Sequence, residues 1–128
     1  MAVPCTAGFV ELAKLGAGEA ATAWTHIGLG TGTGQGASST TLAVETSASG
    51  MARAAATVTT ETTTVTDDTI QLTKTFTATG TITITEAGAF NAASVGDMLM
   101  VGDLSPSAPM VNGDTLAMTL KCQIKAAA

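Results

Sequence analysis

Tyrosine is absent from this 128-residue chain, tryptophan and histidine occur once each, and phenylalanine only three times. Recognition of sugars or bases by stacking needs several exposed rings, so that mode of binding has little to work with. Cations are scarce as well: five Lys and Arg stand against ten Asp and Glu, for a net charge of -5 and a pI near 4.5. Nucleic-acid binders concentrate basic residues against phosphate, and here they gather nowhere, which argues against such a partner. No run of about 18 apolar residues occurs, so no helical membrane span is expected. Neither a basic n-region nor a long apolar h-region opens the chain, so secretion by a cleaved signal is not expected. The two cysteines, Cys5 and Cys122, lie near opposite ends without a C-x-x-C or Cys/His cluster, so no zinc site is expected.

What is present is small. About one residue in five is threonine, with alanine, glycine and serine close behind, and 45% of residues are hydrophobic. That is too apolar and too weakly charged for a disordered coil. The length fits one domain, residues 1–128. A core of Ala, Val and Thr buries little area per residue, and at about 25 cal/mol per Å² a lone copy sits near marginal stability. Association with further copies of itself is therefore expected, with a homotrimer as the working guess. The alternative is that Phe9, Trp24, Phe76, Phe90 and the six methionines suffice alone.

Hydrophobic spacing predicts one helix, residues 7–20, with Phe9, Val10, Leu12, Ala13 and Leu15 recurring at helical intervals and Gly16 and Gly18 stopping it. From Ala23 the period becomes two. Strands are expected over 23–29, 53–65, 69–79, 81–85, 98–104 and 115–125. Glycines at every second position from 28 to 36 predict a mobile loop over 30–41, or one ordered only by a partner. Ser105–Pro109 reads as a second loop and Asn112-Gly-Asp114 as a turn. The expected fold is all-β: an antiparallel, jelly-roll-like β-sandwich with one short N-terminal helix.

Candidate chemistry is thin. The glycine run has the wrong offsets for a G-x-G-x-x-G phosphate cradle and no following Lys-Ser/Thr. His26 sits beside Trp24 and Ile27 with no nucleophile elbow nearby, so a hydrogen-bonded structural histidine is expected and not an enzyme. Asp67, Asp68, Asp97, Asp103 and Asp114 could offer oxygens to calcium, but none fits EF-hand spacing and three follow glycine as turn residues do. No catalytic residue, metal or cofactor is therefore assigned. Cys122 lies in phase with Leu116, Met118, Leu120 and Ile124 and reads as a small buried hydrophobe. A Cys5–Cys122 staple, within or between chains, is the alternative.

Several motifs occur together in a distinctive order. A short helix is followed by Trp24-Thr-His-Ile-Gly-Leu-Gly-Thr-Gly-Thr33, Thr41-Leu42, Glu45 and Arg53-Ala-Ala-Ala-Thr57. Thr75-Phe-Thr-Ala-Thr79, Glu86-Ala-Gly-Ala-Phe-Asn91, Met98-Leu99 and Gly113-Asp-Thr-Leu116 come after. Across roughly residues 8 to 124 this pattern resembles small virion structural proteins of tailed bacteriophages, variously labelled head decoration, fibre or tail proteins. Cys5 and Cys122 depart from it. The resemblance implies a carboxylate, Glu86, beside a backbone turn and Phe90 in the core. Arg53 is then the expected ion-pair partner of Glu86, the alternative being two solvated charges worth under about 1 kcal/mol. The structural or interface residues expected are thus Cys5, Trp24, Arg53, Phe76, Glu86, Phe90 and Cys122.

The function expected is a capsid decoration protein, made in the host cytoplasm and carried on the outer surface of a phage head, cementing neighbouring capsomers. Its partners would be itself and the major capsid or other virion proteins, with an arm at residues 1–6 touching the shell. A tail, collar or fibre-anchoring protein is the first alternative, and a carbohydrate- or cell-surface-binding module the second.

Overall fold

A computed structural model describes residues 3–125. Its elements run β1 (Val3–Pro4), α1 (Thr6–Ala17), β2 (His26–Gly30), β3 (Ala54–Ala55), β4 (Thr57–Glu61), β5 (Thr69–Thr77), β6 (Ile82–Phe90), β7 (Met98–Met110) and β8 (Thr115–Gln123). They form two antiparallel sheets, a five-stranded one in the order β1-β7-β6-β2-β3 and a three-stranded one in the order β4-β5-β8. The β-sandwich with a single leading helix is the architecture that the period-two patterning predicts.

The three-stranded sheet explains the threonine content. Leu72 and Phe76 of β5 and Leu120 and Cys122 of β8 point into the core, while Thr73, Thr75 and Thr77 alternate with them. Thr57, Thr59, Thr115 and Thr119 of the flanking strands share that outward face. Between the sheets pack Trp24, Ile27, Leu29, Met51, Leu72, Phe76, Ile84 and Met100, all at most 3% exposed. Methionine, unbranched and adaptable, fills much of what aromatics would fill elsewhere.

The five-stranded sheet is buried on both faces. Ile27 and Leu29 of β2 face the sandwich core, as do Ala87 and Ala89 of β6. The alternate positions face the other way, where a second cluster of Cys5, Leu42, Phe90, Met98 and Val101 lies. A register shift between Ile84 and Glu86 in the β6–β7 ladder makes this possible. Across it β6 advances two residues while β7 advances five, so the ladder is broken at Thr85, and beyond the break Ala87 and Ala89, not Glu86, face the core that Ile84 faces. Glu86 therefore does not continue the inward row of Ile82 and Ile84.

Several boundaries differ from the sequence reading: β2 begins at His26 and not residue 23, and β6, expected to stop at 85, runs on to Phe90. Helix α1 ends at Ala17, where Gly18 takes a left-handed φ of 76° and its N–H, with that of Glu19, reaches back to Leu15 and Lys14. It docks through Gly8, whose missing Cβ would lie 2.6 Å from the Leu99 carbonyl oxygen. Phe9, expected inside, is 55% exposed as a result. Ser105–Pro109 lies within strand β7 and is not a loop, and its last two residues, Ala108 and Pro109, pair with Ile84 and Thr83 of β6. The strand expected over 53–65 breaks into β3 and β4, which belong to different sheets. Residues expected as an arm are, from Val3, sewn into the fold: Val3 pairs with Val101 and Pro4 with Met100, while Met1 and Ala2 lie outside the described residues.

Candidate functional site

The polar interior gathers around Glu86. It is fully buried, opposite Gly30 of β2 and Asp103 of β7 in the sheet. Its Oε2 accepts the backbone N–H groups of Gly32 at 2.7 Å and Val44 at 2.8 Å. Its Oε1 accepts the Ala43 N–H at 2.7 Å and the side-chain amide of Gln35. Four donors converge on one carboxylate, a charge-assisted arrangement roughly twice as strong per bond as a neutral one. The glycines opposite make the room. A Cβ on Gly30 would lie 2.6 Å from Glu86 Cγ, and one on Gly32 would lie 2.5 Å from its Oε2.

This carboxylate corrects the reading of residues 30–41 as a mobile segment. Glu86 fastens both arms of the loop, Asp103 accepts the Gly34 N–H at 3.0 Å, and the Thr85 hydroxyl donates to the Gly32 carbonyl at 2.6 Å. The returning arm pairs with the end of β2, Thr31 N–H to Val44 and Thr46 N–H to Leu29, both at 2.9 Å. The glycines do require help to order, and it comes from inside the chain.

Arg53 pairs with Glu45 and not with Glu86. Its Nε and Nη2 donate to the two carboxylate oxygens at 2.9 and 2.6 Å, a forked geometry only a guanidinium can make. Its Nη1 donates to the carbonyls of Ala92 and Val95 at 3.1 and 2.6 Å. The guanidinium carbon lies 3.5 Å from the Phe90 ring centre, a cation–π contact. The expected pair fails for a geometric reason: Glu86 already holds four donors beneath the loop, whereas Glu45 lies beside the arginine. Glu45 stood in the sequence motif without a role; a carboxylate eight residues before an inward arginine was the available signal. Gln35 and Thr85 were missed, Asp103 was read only as a turn residue or calcium ligand, and only the alternate glycines facing a mid-strand glutamate hinted at their role here.

The remaining expected residues take separate places. Trp24 and Phe76 pack in the inter-sheet core, and Phe90 under Arg53. Cys5 and Cys122 are buried free thiols in different clusters, and burial pushes the pKa of both upward. The Cys5–Cys122 staple is absent from the described chain. His26 Nδ1 lies 2.7 Å from the Thr25 hydroxyl. Asp68 closes the loop before β5, accepting the amides of Thr63, Thr64 and Val65 and the side chain of Gln123. The Val65 and Thr63 amides hold its carboxyl well below the usual carboxylate range.

Each of these carboxylates ties one stretch of backbone to another, and the result is a structural β-sandwich with internally fastened loops. A family model described as podophage GP4 fiber I protein gp80 matches residues 12–124. The chain belongs to that family, and is a tailed-phage virion structural protein. A search of curated proteins finds no match.

Proposed function

We propose that the chain is a non-enzymatic structural part of the tail or fibre apparatus of a podophage virion. The match to a fibre family over residues 12–124 carries this reading. It favours the fibre alternative over the capsid decoration expected from the sequence and its resemblance. The fold is compatible with it: Glu86, Glu45 and Asp68 hold backbone and arginine and leave the loops stiff. The partners are other copies of itself and neighbouring virion proteins, with neither nucleic acid nor membrane among them. A carbohydrate-binding module finds less support, since Trp24, Phe76 and Phe90 are at most 3% exposed and offer no stacking platform.

Labelling this chain on intact particles tests the reading. Label confined to the tail at a few copies per virion is expected. Label spread over the whole head surface would refute it and restore the decoration role.

A further inference from the structure

The sheets end very differently at their edges. The five-stranded sheet closes on β1 and β3, two residues each, and short edge strands are a usual guard against pairing with other chains. The half of β7 beyond β1 carries Pro106 and Pro109 and a bulge, which are further guards. Of the two edges of the three-stranded sheet, β4 is the shorter at five residues, and β8 has none of these guards. It is nine residues long, contains no proline, and pairs with β5 from Thr115 to Gln123 without a register shift.

Hydrogen-bond parity shows which backbone groups are free. Ile124 N–H bonds to Asp68, and Ala78 N–H to Asp114, so the even-numbered positions of β8 face β5. The odd positions, Thr115, Ala117, Thr119, Lys121 and Gln123, turn their N–H and C=O groups to the open edge. Beneath that edge the sheets part into a cleft of about 200 Å³ lined by Leu104, Met118 and Leu120. One carboxylate oxygen of Asp103, also at the cleft, is buried without a donor among the described residues.

We propose that β8 is a self-association surface, pairing antiparallel with β8 of a second copy about a two-fold axis at Thr119. This concerns the free protein and does not rest on its place in the virion. Parity limits the registers to those that set odd positions against odd, and among them the one centred on Thr119 pairs the whole strand from Thr115 to Gln123. Thr119 meets its own copy, Ala117 meets Lys121, and Thr115 meets Gln123, five pairs that each exchange two backbone hydrogen bonds. The side chains suit the same register. Lys121 faces alanine and not another lysine, Thr119 faces threonine, and on the inner face Met118 meets Leu120, each copy filling the other's cleft. A six-stranded sheet results, with the occupant determined by the strand's own self-complementarity.

Sedimentation equilibrium and light scattering on the full chain test this with three variants. The parent is expected at twice the 12.6 kDa chain mass. Thr119→Pro removes an edge N–H that β5 does not use, and is expected to give a monomer. Ala117→Lys sets lysine against Lys121 twice per dimer and should weaken association on the order of fivefold, whereas Ala117→Glu should strengthen it. The Ala117 pair keeps the test sharp if the proline variant misfolds. A monomeric or trimeric parent, or a dimer indifferent to both Ala117 variants, would overturn the proposal.

Discussion

Replacing Glu86 by glutamine changes no volume and removes one charge, so it isolates the lock on the loop. Each carboxylate oxygen accepts two donors: Gly32 and Val44 on one, Ala43 and Gln35 on the other. A glutamine amide must turn its NH₂ toward one of those pairs, leaving two part-buried donors facing another donor. Each group so stranded costs about 1–3 kcal/mol, and two together about 2–6 kcal/mol. Native stability is only about 5–15 kcal/mol, so the loss is a large share of the whole. For a chain of this size it lowers the melting temperature by about 8–24 °C. Calorimetry reads the midpoint, and amide exchange reads the site: Gly32, Ala43 and Val44 should lose protection before the β5–β8 ladder does. Glu19→Gln, at an exposed position after the helix, serves as the control. An E86Q protein melting within about 2 °C of the parent, with those amides still protected, would refute the account of the loop.

Arg53→Ala strips Glu45 of its fork and the Phe90 ring of its cation, and is expected to cost about 2–3 kcal/mol in urea unfolding. Arg53→Lys should recover less than half, because an ammonium cannot bond both oxygens and two carbonyls at once. Gly30→Ala drives a methyl into Glu86 and the Val44 carbonyl and should destabilise by about 2 kcal/mol or more. Gly16→Ala, in the helix with open space around it, should instead stabilise by about 0.5–1 kcal/mol. Asp68 has a depressed folded pKa, so its contribution is present above the unfolded carboxylate value and disappears as pH falls through the folded one. Protection of the Thr63–Val65 amides should therefore survive at pH 4 and collapse only well below it. Their loss at pH 4 in an otherwise folded protein would count against the assignment.

The sandwich and the leading helix were legible because burial on one face writes itself into a strand as alternation, as in Thr81-Ile-Thr-Ile-Thr85. The loops were less so. Ser105–Pro109 looks like a loop in sequence because proline removes a ladder donor, yet at an edge that donor would face away from the partner strand. The bulge after Ile84 has no signature of its own, and it moves Glu86 to the other face of the sheet.

Composition and periodicity by themselves determined an acidic, all-β chain of small side chains, since those properties are local and additive along the polymer. Only the tertiary structure decided that Glu86 anchors the glycine loop, that Arg53 belongs to Glu45, and that β8 is left open. Each is a matter of which groups from distant segments meet. A buried charge takes whichever donors the fold brings within reach, and an edge is free only once every other strand has found its place.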